Sequence, residues 1–402
     1  MLLLLRIVIL IALLIVLLRL KLNLALAIIV DAICAGILFR LRLSEILYVF
    51  PNTLAQLQTL EFLFIIYMVL LLAVLLKETG NLTHLICSLD HVFKDPRIGI
   101  AVMPALIGLL PMPAGAMLSA PIVREVGVRG KFTAAHLTHI NYWFRHVWEY
   151  FWPLYPGILL SAGIFNVTVR DIMITQYPLT ILALVAGIFF ILGLPRINTN
   201  AGKARPIHIV RIIYYMWPIF LVIILVMIAR FRMSWALGIS GSFALILSRT
   251  SIKEILQMFK KAFFLPTLGV IYAVFLFKNI MHITGALTAI PSIAQDLSIL
   301  QMTIIFIAPF MVGLLTGLNS AFVGMTFPVI APLIPSGSIQ LQYIMFAYAS
   351  GFAGVMLSPV HLCLCLTKEY YGASFSKIYS YLLPSLLFVF FGAIVLLFLS
   401  MR

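Results

Sequence analysis

The sequence predicts an all-α polytopic membrane protein: two inverted repeats carrying about ten transmembrane helices plus two re-entrant hairpins. Three observations carry that prediction. The 402-residue chain is 63% hydrophobic and 10% charged, against about 45–50% apolar and about 25% charged in soluble domains. Its mean hydropathy is +1.16, more apolar surface than a soluble packing can hide. Apolar runs such as Met1 to Leu18, Leu22 to Phe39, Glu61 to Leu76, Ile212 to Ala229 and Tyr381 to Leu399 approach or reach the roughly 17–25 residues that cross a bilayer as helix. Finally, the same order of features occurs twice, about 205 residues apart.

Composition also excludes classes. Cys34, Cys87, Cys363 and Cys365 lie in or beside apolar stretches, so they build no disulfide framework and are expected as buried reduced thiols. A net charge of +15 suggests nucleic acid in a soluble chain. Here most basic residues flank apolar runs and report topology, so the expected partner is the lipid bilayer and no nucleic acid. Met1 to Leu18 is bounded by Arg19 and Lys21 with no small-residue cleavage pattern after it, and is read as a membrane helix rather than a signal peptide.

The repeat rests on ordered landmarks. Thr79-Gly80-Asn81-Leu82 matches Thr284-Gly285-Ala286-Leu287, Pro104 to Leu110 matches Pro309 to Leu315 without a gap, and Trp152-Pro153 falls opposite Ser358-Pro359 after a slip of one residue. The first repeat, 1–205, is expected to hold helices near 2–18, 22–39 and 60–76, a polar connector 77–97, a hairpin 98–123 of two half-length segments, an interrupted helix 141–165 and a helix 172–193. The second, 206–402, is expected to repeat them near 210–229, 234–248 and 263–281, connector 284–299, hairpin 300–334, interrupted helix 340–366 and 380–399.

The half-segments fall short of the roughly 20 residues that span the hydrocarbon core. They are joined by turn formers, Pro111-Met-Pro-Ala-Gly115 and Thr316-Gly-Leu-Asn-Ser320. A hairpin enters and leaves on one side, so each repeat crosses five times, and an odd number inverts the second copy. The basic residues divide as 18 on the side reached after the first helix and 8 on the other, with Arg145 inside a helix. This bias predicts a multi-pass protein of the cell (inner, cytoplasmic) membrane with both termini outside.

Backbone that leaves the helix at membrane depth must face protein or water, and half-helix ends make ion sites. The first turn offers Pro111, Pro113, Gly115 and Ser119, facing a break with Pro153, Tyr155 and Gly157. The second offers Thr316, Gly317, Asn319, Ser320 and Thr326, facing a break around Ser350-Gly351 and Ser358-Pro359 with His361 beyond. Hydroxyl, amide and carbonyl oxygens suit a hard monovalent cation or a carboxylate substrate; no other cofactor and no protein-held metal are expected beyond such a Na+. A lone Ser or Thr back-bonds to its own helix, whereas Asn319-Ser320 in a turn reads as a site. Arg145, His146 and Glu149 share a helical face. They are coupling candidates, with mutual neutralisation of Arg145 and Glu149 as the structural alternative. Asp31 and Glu61 are expected to cap or pair locally, and His139 to lie near the cytoplasmic interface.

These turns, breaks and duplicated halves resemble the ion-transporter superfamily of divalent-anion/sodium symporters and gluconate permeases. The stretch Leu110-Pro-Met-Pro-Ala-Gly-Ala-Met-Leu-Ser-Ala-Pro-Ile-Val123 looks most like its uncharacterised branch, domain-of-unknown-function family 401. The resemblance implies a permease for a small anionic substrate, coupled to protons or sodium, moving a transport domain against a scaffold in a homodimer. In characterised relatives each tip carries a Ser-Asn-Thr-type motif. Only Asn319-Ser320 approximates it here, which shifts weight to Glu149 or His146 for coupling. The rival readings are an ion or solute channel and a membrane-embedded enzyme. The chain has no His-Glu-x-x-His and no Gly-x-Ser-x-Gly, so enzyme activity is not expected.

Overall fold

The computed structural model describes residues 2–20, 22–81, 96–112, 115–195, 206–248, 250–285, 298–335, 337 and 339–401. The regular elements are all helices, with no strand among the described residues. The first half holds α1 (Leu2–Arg19), α2 (Leu24–Leu38), α3 (Leu43–Ala55), α4 (Leu57–Glu78), α5 (Pro96–Ile107), α6 (Ala116–Arg129), α7 (Ala134–His146), α8 (Pro156–Phe165) and α9 (Val169–Leu192). The second holds α10 (Pro206–Met227), α11 (Met233–Leu247), α12 (Ile252–Ala262), α13 (Leu265–Ile283), α14 (Ser298–Thr316), α15 (Asn319–Ile330), α16 (Gln340–Leu357), α17 (Leu362–Tyr371) and α18 (Phe375–Ser400), with a 3-10 turn at Ala331–Leu333. Most of each expected connector lies outside the described residues.

Among the described residues five segments are long and apolar enough to cross a membrane: Leu57–Glu78, Val169–Leu192, Leu265–Ile283, Gln340–Tyr371 and Phe375–Ser400. On α9 (Phe189, Leu192) and α18 (Leu387, Phe391) large apolar side chains are left uncovered by any neighbouring helix. A surface of that kind is stable against lipid.

Two helices escaped the reading by apolar runs. In α3, Ser44, Glu45, Asn52 and Thr53 interrupt the run. In α12 the polar and apolar residues segregate onto opposite faces, and Ser251 starts the helix by accepting from Glu254 N–H while Glu254 accepts from Ser251 N–H at 2.9 Å. Those bonds, from the Ser251 backbone first and then its hydroxyl, hold the exposed Glu254 carboxyl below its ordinary range.

The helix expected from 141 begins at Ala134, where Thr133 accepts from His136 N–H at 3.2 Å. His136 meets Tyr381 Oη at 3.0 Å. His139 is fully buried between Trp143 and Phe190. Glu61 bonds Ser234 Oγ at 2.9 Å across the two halves rather than locally. Asp31 is buried, with Oδ1 unpartnered among the described residues.

The halves interleave. α5 packs on α6 and α7, as α14 packs on α15 and α16. Between the halves, α2–α13 has its counterpart in α11–α4, α3–α13 in α12–α4, α6–α17 in α15–α8 and α7–α18 in α16–α9, while α9 meets α18. Exchanging the halves leaves these pairs unchanged, whereas α7–α17 and α13–α15 also pack and have no counterpart of similar extent.

Candidate functional site: two turns against two breaks

α7 stops at His146, and residues 147–155 run as turns until Pro156 restarts the helix as α8. The second interruption is shorter, 358–361. Ser350-Gly351 forms no break, because α16 is continuous through it. Gly351 serves a different purpose, close packing: a Cβ on Gly313 of α14 would sit 2.1 Å from the Gly351 carbonyl oxygen, and one on Gly108 would sit 2.4 Å from that of Arg145. Each turn-bearing pair of helices therefore lies with backbone directly on its interrupted helix.

Ala105 O of α5 and the carbonyls of Gly108, Leu109, Leu110 and Met112, just past its last residue, lie against the first break and take side-chain donors. Trp148 Nε1 donates to Ala105 O at 2.7 Å, Tyr155 Oη to Gly108 O at 2.6 Å and Trp152 Nε1 to Leu109 O at 3.0 Å. Arg145 donates to Leu110 O at 3.1 Å and Met112 O at 3.2 Å. Three side chains of the break, together with Arg145 in the last turn of α7, thus bond five carbonyls, and the guanidinium lies at the negative end of the α5 dipole.

Trp148 and Trp152 were missed in the sequence reading. The signal was present, since positions 145, 148, 152 and 155 fall on one helical face and each carries an N–H or O–H donor.

Arg145 also donates to Tyr155 Oη at 2.6 Å and to Glu149 Oε1 at 3.3 Å, and it is 2% exposed. Glu149 Oε2 accepts from Asn319 Nδ2 at 2.7 Å, and its backbone carbonyl accepts from Tyr348 Oη at 2.9 Å. Gly115 lies over the guanidinium, where a Cβ would come within 2.9 Å of Arg145 Nε, and Gly157 lies against Tyr348 Oη and the Asn319 Cβ. In the second turn Gly317 takes φ +65, a left-handed conformation open to glycine, and its carbonyl meets His361 Nδ1 at 2.7 Å. His146 Nδ1 meets Tyr142 O at 2.6 Å, and the two Nε2 atoms of His146 and His361 stand 3.1 Å apart.

Gly115, Arg145, His146, Glu149, Tyr155, Gly157, Gly317, Asn319 and His361 therefore form one cluster. Pro111 is half-buried at its edge, Pro153 is buried in the first break and Ser320 is half-buried beside Asn319; Pro113 lies outside the described residues. The remaining hydroxyls bond within their own segments, except that Ser119 also reaches Asn141 on α7. Ser119 bonds Ala116 O and Asn141 Oδ1, Thr316 bonds Val312 O, Thr326 bonds Phe322 O, and Ser358 Oγ accepts from Val360 N–H.

Two buried polar atoms in the cluster have no hydrogen-bond partner among the described residues, Arg145 Nε and Asn319 Oδ1. They belong to the two side chains that grip Glu149. An apolar cavity of about 1110 Å3 adjoins the second turn and second break, lined by Thr316, Leu318, Pro359 and Val360 together with Leu24 and Tyr379.

The chain belongs to the family described as "Protein of unknown function (DUF401)", which matches residues 1–399. No curated protein matches it.

Proposed function

We propose that the protein is a secondary active transporter, a permease for a small organic anion, coupled to protons or sodium and working by elevator-type alternating access. The reading takes 1–205 and 206–402 as inverted repeats with ten crossings and two re-entrant hairpins, in the cell's cytoplasmic membrane with both termini outside. The pairs that survive exchange of the halves support two copies related by a two-fold axis, and on this reading five crossings per copy put that axis in the membrane plane. The five carbonyls at and just past the end of α5 that side chains bond support re-entrancy, because a segment that ended in water would leave them to solvent.

One observation carries the functional reading: a buried cationic donor, Arg145 Nε, and a buried acceptor, Asn319 Oδ1, are left open on the two side chains that hold Glu149. Each open group costs about 1–3 kcal/mol. A carboxylate on Nε and a cation on Oδ1 relieve both costs together. That is a binding site for an anion and its co-ion, with Glu149 as the charge between them.

The test is counterflow in proteoliposomes loaded with unlabelled mono-, di- or hydroxycarboxylates, at fixed pH with and without sodium. Saturable accumulation of the labelled acid is expected. Its absence for every acid, or an ion conductance that does not saturate, rejects a carrier.

A further inference from the structure

Both imidazoles of the His146–His361 pair have a constrained tautomer. His146 Nδ1 lies 2.6 Å from Tyr142 O and His361 Nδ1 lies 2.7 Å from Gly317 O. A carbonyl oxygen only accepts, so both Nδ1 atoms carry the hydrogen and both Nε2 atoms of the neutral rings are bare lone pairs. Those two lone pairs face each other at 3.1 Å, with His146 1% and His361 9% exposed. Two bare acceptors at that distance, out of water, repel unless a cation lies between them.

Cys363 supplies a third donor. A ligand atom from each of His146, His361 and Cys363 lies within 4.8 Å of the other two, and all three residues are buried. We propose that His146 Nε2, His361 Nε2 and Cys363 Sγ form a site for a zinc-class divalent ion. With Zn–N bonds of about 2.0–2.1 Å and angles of about 100–110°, ligating nitrogens stand about 3.1–3.4 Å apart. The pair is already at that separation. A linear two-coordinate ion needs about 4 Å, so the geometry favours a tetrahedral one.

Both histidines also carry the supporting bond that orients metal-ligating imidazoles, an Nδ1–H held by a carbonyl. On binding, the thiol gives up its proton. The thiolate, with the Glu149 carboxylate at 3.7 Å from His146 Nε2, offsets the two charges of the ion beside Arg145.

The site joins the end of α7 in the first half to the start of α17 in the second, and through Gly317 to the second turn. It assigns His146 to the metal rather than to coupling, and it stands independently of the transport reading. Neither histidine signals it in the sequence, since 215 residues separate them.

Metal analysis of the purified full-length chain after exposure to Zn2+ and dialysis tests it. About one zinc per chain is expected, with affinity falling at least about 100-fold in His146→Ala and His361→Ala, and the metal lost in a variant carrying both changes and Cys363→Ser. The native chain loaded with Co2+ is the second measurement, and it does not depend on any variant folding. It is expected to show the visible bands of a tetrahedral ion and a thiolate charge-transfer band. A native chain that holds no zinc, zinc held equally by the triple variant, or Co2+ without the thiolate band each overturns the proposal. Transport with no zinc bound, or zinc bound with no transport, separates this inference from the permease reading.

Discussion

Asn319 donates from Nδ2 to Glu149 Oε2 at 2.7 Å across 170 residues of chain. The first residue of α15, just past the second turn, is thereby tied to the break that interrupts the helix of the first half. Arg145 holds the other carboxylate oxygen, so one side chain reports on both halves. A displacement of either turn changes the partners of Glu149, which is the physical basis for placing coupling there.

Glu149→Gln is therefore expected to abolish ion-driven uptake while sparing exchange of labelled for unlabelled substrate. Both activities are measured in the same proteoliposomes at matched protein level. Equal loss of the two retires the coupling role and leaves the pair structural. In that case removing the partner of a buried guanidinium costs about 3–5 kcal/mol, read as easier unfolding in detergent.

Trp152→Phe and Trp148→Phe keep an aromatic ring, smaller than the indole, but remove the donors to Leu109 O and Ala105 O. Each is expected to cost about 1–3 kcal/mol, the penalty for a buried acceptor left open. Trp235→Phe, at a residue 67% exposed, is the control and is expected to change unfolding by less than about 0.5 kcal/mol. Native-like stability of all three variants removes the account of the α5 terminus.

Gly108→Ala and Gly313→Ala press a methyl against backbone oxygens at 2.4 and 2.1 Å, and backbone cannot rotate away. Each is expected to destabilise by about 1–3 kcal/mol or more and to lower uptake. Gly99→Ala in α5 meets nothing within 4 Å and is expected to be neutral. Thermal unfolding of the three variants side by side checks this, and a neutral Gly313→Ala contradicts backbone-to-backbone packing of α14 on α16.

Several features of this arrangement were legible in the sequence. Long apolar runs gave α4, α9, α13 and α18, because a lipid-facing helix needs no polar stripe. The matched Pro104–Gly108 and Pro309–Gly313 landmarks marked two glycines that the fold uses for the same contact. Arg145, Glu149 and Asn319 stood out as polar residues among apolar ones.

The rest depended on contacts distant in sequence. Amphipathic α3 and α12 carry too many polar residues to register as apolar runs. Thr316, Thr326 and Ser358 read as ligands by residue type, and only the structure shows their local bonds. The Trp148 and Trp152 donors read as apolar bulk, and the facing of His146 and His361 is a tertiary fact without a spacing signal.

The claim beneath the whole reading is that the two turn-and-break units are inverted in the membrane. Ala134 and Gln340 are matched first residues of α7 and α16, at the bases of the two hairpins. With Cys34, Cys87 and Cys365 replaced and buried Cys363 retained, single Ala134→Cys and Gln340→Cys chains can be probed with a membrane-impermeant thiol reagent. Labelling of Gln340→Cys in intact cells, and of Ala134→Cys only after permeabilisation, is the expected result. Labelling of both from the same side contradicts the inversion, and with it alternating access between two opposed hairpins.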